Sequence, residues 1–205
     1  PEHREHGRDI MRAITMLPAV TGAWEDVGGG LARSTQLYFE EALNLPADRP
    51  SRRKFNMAAL GSVLNDDTLA PPIGALVVHN SNPAVICPDQ NEVVRGLERE
   101  DLYTVVLEQF MTDTARYADI ILPVTTQLEH LDLMIAWGHL YLALNQPAIA
   151  PQGRALPNTE IFRRLATAMG MTDPALQASD QDLVREVLDT DHPWAAGITL
   201  ERLRR

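Results

Sequence analysis

The stretch Leu102–His130, LYTVVLEQFMTDTARYADIILPVTTQLEH, decides how the chain folds. It holds two short β-branched and aliphatic runs, Tyr103–Leu107 and Asp119–Leu122, and between them Met111–Tyr117 reads as a short helix. Runs so continuously apolar are expected to be buried on both faces, as in a parallel sheet with crossover helices. Upstream, Gly74–Val78 is a third run of the same kind, followed by His79-Asn80-Ser81-Asn82-Pro83 and a helical segment, Gln90–Leu97. Strand, helix, strand, helix, strand is the order of a doubly wound, Rossmann-like α/β domain.

Each strand empties at its carboxyl end into polar residues: His79-Asn80-Ser81-Asn82, Glu108-Gln109, and Thr125-Thr126-Gln127 with Glu129-His130. Open parallel sheets bind ligands in the crevice outside those ends. Amides, a carboxylate and hydroxyls gathered there suit hydrogen bonding to a nucleotide-like molecule; the plainer reading is that loops after strands are wet. Pro83 fixes its own φ and disfavours a helical Asn82, which keeps that side chain in an extended turn; an Asx-turn that only shapes the loop is the alternative. Asp89 reads as the cap of Gln90–Leu97, and Thr112 as the cap of the short helix, whose first N–H groups would face a diphosphate in the crevice.

Further out, Arg4–Leu17 predicts a helix with Ile10, Ile14 and Leu17 along one side, stopped or kinked at Pro18. The span 33–53 reads as loop-rich, with Tyr38–Leu43 helical and a Pro/Arg cluster at 48–53. Asn56 caps a helix over Met57–Leu64, and an extended segment over Leu140–Asn145 follows Trp137-Gly138-His139. Asn158 is expected to cap Thr159–Met169, whose buried stripe is Ile161, Phe162, Leu165 and Met169. Helices over Ser179–Leu188 and Trp194–Leu203 complete the chain, which divides into an α/β domain at 1–170 and an α-helical extension at 171–205.

The bulk properties exclude several functions. A net charge of −10 over 205 residues and a pI near 5.0 argue against a nucleic-acid partner or an anionic membrane surface. The single Cys87 excludes an internal disulfide and any cysteine-held cluster made by this chain alone. Glu129, His130, Asp132 and His139 lack metal-ligand spacing, and the one HxxH pair, His3 and His6, has no further ligands nearby, so no metal site is assigned. Gly28-Gly29-Gly30 follows no strand and is read as a turn, not a phosphate loop. No apolar run approaches the roughly 20 residues of a membrane helix, so no membrane insertion is expected. The chain starts at Pro1 without Met and carries no signal-peptide pattern; it reads as an internal section of a longer protein, with the cytoplasm as default compartment.

The segments NSNPAVICPD (80–89), VVLEQFMTDTARYADIILP (105–123), QLEH (127–130) and LPNTEIFRRLATAMG (156–170) closely resemble the molybdopterin oxidoreductase (DMSO reductase) family, in its second nucleotide-binding α/β domain. That resemblance implies that Asn82, Leu107 (through its backbone), Glu108, His130 and Asn158 bind the guanosine end of a molybdopterin guanine dinucleotide. Glu108 stands where the family usually has Asp, and His130 where it often has Lys. A carboxylate at 108 can accept two N–H donors of a guanine edge, and an imidazole can donate from either ring nitrogen. The resemblance also implies molybdenum or tungsten, an iron–sulfur cluster held before Pro1, further domains of the same chain, an electron-transfer subunit, and oxygen-atom or two-electron transfer by the whole enzyme. No catalytic residue is assigned within this chain, which is expected to be inactive alone. Two other readings stand beside it: a nucleotide-binding domain of another oxidoreductase class, which would need a glycine fingerprint after Val78, and a cofactor-free interaction domain.

Overall fold

Three parallel strands, β1 (Ala75–His79), β2 (Tyr103–Glu108) and β3 (Ile120–Pro123), lie side by side in that order at the centre of the computed structural model, which describes residues 6–31, 36–46, 53–136 and 139–205. The register pairs Ala75 with Tyr103 and His79 with Leu107 on one side of β2, and Val105 with Ile120 and Glu108 with Pro123 on the other. Parallel strands in this register all finish at one edge, and the residues that follow them emerge together. The fold is α/β, with a mostly parallel sheet flanked by helices, as the strand–helix alternation predicts.

Only β2 is sandwiched. Thr104 and Val106 are fully buried and Leu107 nearly so, whereas Val77 on β1 is 50% exposed and Ile120 on β3 is 41% exposed. The expectation of burial on both faces therefore holds for the central strand and not for its neighbours, since an edge strand is covered only where a helix reaches it. One sheet face packs Leu76, Val78, Val106 and Ile121 against Ala115 and Ala118. The other packs Val105, Leu107, Leu122 and Val124 against Ile161 of α6 (Asn158–Ala168).

Beyond β1, α3 (Leu60–Leu64), α4 (Pro83–Ile86) and α5 (Gln90–Leu97) bury Leu64, Ala84, Cys87, Val93, Leu97 and Leu102 together. Burial pushes the Cys87 thiol pKa up, which makes it an inert core residue. Asp89 caps α5 as expected, its carboxylate accepting the Glu92 N–H at 3.4 Å with φ at +55°. Asn56 likewise accepts the Ala58 N–H at 2.9 Å, but opens a 3-10 turn, Met57–Ala59, ahead of α3. A second core joins α2 (Gln36–Ala42), α7 (Asp180–Leu188) and α8 (Leu200–Leu203) to an antiparallel ribbon, β4 (Asp132–Met134) with β5 (Ala143–Asn145). Ser179 starts α7 by accepting the Asp182 N–H.

Several expectations need correction. Pro18 lies inside the last turn of α1 (Gly7–Val20), where it removes one late backbone bond without ending the helix. The helix expected over Met111–Tyr117 is a single 3-10 turn, Thr114–Tyr117. Trp194–Leu203 is not continuous: Pro193–Ala195 is a 3-10 turn, and Gly197 at φ +73° breaks it from α8. The extended segment shortens to β5, and its partner β4 was not foreseen because Leu133 opposite Leu144 is a nonlocal pair. His3 of the HxxH pair, Trp137-Gly138 and most of the 48–53 cluster lie outside the described residues. Among the described residues no helix is long and apolar enough to cross a membrane, and no group of three His, Cys, Asp or Glu side chains is placed to hold a metal.

Candidate functional site

The carboxyl edge of the sheet is built from four successive rungs. Asn82 follows β1, Glu108 closes β2, and the loop 124–130 follows β3. A parallel bridge between Val124 and Leu156 adds the fourth rung: Thr125 N–H donates to Leu156 O and Leu156 N–H to Pro123 O, each at 3.2 Å. Two residues later Asn158 leaves at the same edge. This fourth rung had no signal in the sequence, because one bridge between segments about 30 residues apart has no periodicity to read.

Asn82 sits at the N-cap position of α4 with φ −126° and ψ 70°, outside the helical region as the following proline requires. Its Oδ1 accepts two hydrogen bonds from Thr114, the hydroxyl at 2.6 Å and the backbone N–H at 3.2 Å. The Ala115 N–H goes to Thr112 Oγ1 and the Arg116 N–H to Asp113 O. The N–H groups that were to face a diphosphate are thus already used, which overturns that expectation.

Glu108 is half-buried; one carboxylate oxygen accepts the Gln109 N–H at 2.7 Å and the other has no partner among the described residues. Gln109 Nε2 donates to Thr125 O at 2.9 Å and Val124 N–H to Glu108 O at 3.3 Å, which ties the ends of β2 and β3 together. Leu107 lies in the core with Val124 and Ile161, so only its main chain is at the edge's disposal. His130 is half-buried, its Nδ1 2.9 Å from the hydroxyl of the buried Thr125, and its Nε2 without a partner among the described residues.

Glu129, considered above as a metal ligand, is a buried loop staple. Its carboxylate accepts the Thr126 N–H and hydroxyl at 2.7 and 2.9 Å and the Gln152 N–H at 2.6 Å. The Thr126 N–H, then the Gln152 N–H, hold its pKa below the usual glutamate value against the opposing effect of burial.

Asn158 is not the cap of α6. Pro157, with φ −54° and ψ 143°, takes the N-cap position, and its carbonyl accepts the Ile161 N–H at 3.0 Å, so Asn158 is the first helical residue. Its Oδ1 is buried with no hydrogen-bond partner. One turn along α6, Phe162 meets the His79 ring edge-on at 5.6 Å, so α6 reaches across to the end of β1. Two apolar cavities of about 370 and 420 Å³ lie elsewhere, around Phe39 and Leu43 in the second core, and none of the five candidate residues lines them.

The family sequence model described as molybdopterin oxidoreductase matches residues 1–168. The chain belongs to the molybdopterin oxidoreductase family. Within it, the chain is 44% identical over 211 aligned positions to the probable oxidoreductase YoaE of Bacillus subtilis, covering 100% of the chain and 31% of that protein. It is 27% identical over 205 positions to the probable oxidoreductase YyaE of the same organism, covering 98% of the chain and 30% of that protein. The chain thus spans about a third of the length of these curated relatives. Among solved structures, acetylene hydratase from Pelobacter acetylenicus superposes with a TM-score of 0.59 at 24% identity, over 73% of this chain and 20% of that one, a likeness of fold. The molybdopterin oxidoreductase assignment agrees with the resemblance carried by the four sequence segments.

Proposed function

We propose that this chain is the section of a molybdenum- or tungsten-dependent oxidoreductase that holds the guanine end of a molybdopterin guanine dinucleotide. In this reading 1–170 is the dinucleotide-binding domain and 171–205 a helical extension. One observation carries the reading: Asn158 Oδ1 is buried without a partner at the sheet edge where Asn82, Glu108 and His130 also emerge. A buried unpaired acceptor is costly, and a ligand that donates to it removes the cost. The donor set also fits a guanosine diphosphate moiety. The free oxygen of Glu108 accepts from a guanine N–H edge, His130 Nε2 donates to ribose or phosphate oxygens, and the main chain at Leu107 borders the base. When bound, the cofactor's metal supplies oxygen-atom or electron transfer; this chain's residues bind and orient its nucleotide end. An iron–sulfur cluster, further domains and an electron-transfer subunit belong to the same reading.

The test is chemical. The protein is isolated with whatever it holds and then denatured; released guanine nucleotide is quantified by chromatography, and molybdenum and tungsten by mass spectrometry. Guanine nucleotide together with either metal is expected. Protein that releases neither overturns the proposal.

A further inference from the structure

Thr114 is fully buried between the turn after β1 and the turn after β2, and its contacts determine which atom of Asn82 faces it. Its backbone N–H can only donate and lies 3.2 Å from the Asn82 side chain, so the atom it meets is the carbonyl oxygen and not the NH2 group. The Thr114 hydroxyl accepts the Ala84 N–H at 3.0 Å, which leaves its single hydrogen for the same Asn82 oxygen at 2.6 Å. Both lone pairs of Oδ1 are then taken. Asn82 Nδ2 has no partner among the described residues and is not buried.

We propose that Thr114 is a positioning residue that holds Asn82 as a donor-only group, so that the ligand atom opposite Asn82 is a hydrogen-bond acceptor. This rests on the reading above and adds the polarity of the site. Glu108 offers only acceptors and takes the donor edge of a guanosine, while Asn82 offers only N–H donors and takes an acceptor: a ring nitrogen, a carbonyl or a sugar or phosphate oxygen. Free rotation of the amide would let either end face the crevice. Two bonds from one buried threonine remove that freedom.

The experiment uses the protein isolated with its cofactor, and reads bound guanine nucleotide per polypeptide beside the melting temperature. Asn82→Asp keeps the oxygen that Thr114 holds and replaces the donor by a second acceptor. Its occupancy is expected to fall about tenfold, the equivalent of one charge-assisted or buried hydrogen bond, with the melting temperature falling no further than the loss of bound ligand itself accounts for. Thr114→Val is expected to lower occupancy severalfold, and Thr114→Ser, which keeps the hydroxyl, to restore it. Wild-type occupancy in Asn82→Asp overturns the proposal even if Thr114→Val fails to fold. So does loss in Thr114→Ser equal to that in Thr114→Val. Absence of guanine nucleotide from the wild-type protein instead overturns the functional reading, and this inference with it.

Discussion

Glu129 accepts the backbone N–H of Gln152 at 2.6 Å, which fastens the loop after β3 to the segment leading into α6. A carboxylate whose folded pKa is depressed stabilises the fold above the ordinary glutamate value, and that contribution is lost as pH falls through the lowered folded value. The unfolded chain binds the proton first, so acid favours unfolding. Melting temperatures followed from neutral pH down to roughly pH 3 should therefore fall more steeply for the wild type than for Glu129→Gln. Parallel curves would mean that the staple does not depend on charge.

Thr125 and His130 form the second fixed pair at the site. Thr125→Val leaves the Nδ1 of the half-buried His130 without its partner, and should cost about 1–2 kcal/mol in urea unfolding. Thr125→Ser should retain most of that stability, since it keeps the hydroxyl.

The asymmetry of the sheet gives a paired prediction. Val106, fully buried on β2, should lose about 2 kcal/mol on truncation to alanine, from two methyl groups plus the cavity left behind. Val77→Ala, at a position 50% exposed, should lose about half of that or less. Equal losses in denaturant titrations would show that something covers β1 as fully as β2.

Gly96 lets α5 approach α3. A Cβ there would stand 2.5 Å from Leu64 Cβ, a backbone-anchored atom with little room to move. Alanine gains about 1 kcal/mol in helix propensity, but overpacking costs about 1–3 kcal/mol. Gly96→Ala should therefore lower the denaturation midpoint, in spite of the better helix former.

Much of the frame was legible in the residues. Val, Ile and Leu runs located all three strands to within a residue or two, and Asp89 and the pattern of Gln90–Leu97 marked α5 without error. What escaped was set by contacts distant in sequence. Thr114 carried no signal beyond its place in the short helix expected over Met111–Tyr117, yet its hydroxyl serves Asn82, 32 residues earlier. Asn158 was read as a cap, yet the bridge of Leu156 to Val124 brings Pro157 into that position. Glu129 drew notice for its acidity, yet its partner is a main-chain N–H 23 residues later.

By itself the sequence determined which residues become strands, that they run parallel, and that polar groups follow each of them, because apolar runs, crossover lengths and proline constraints are local properties. The family, too, was written in ordered local segments. Only the tertiary structure decided that a fourth rung brings Asn158 to the edge, that Asn82 presents its amide nitrogen, and that Glu129 closes a loop. A hydrogen bond is directional and spans about 3 Å, so which donor meets which acceptor is known only when the sheet has set their distances.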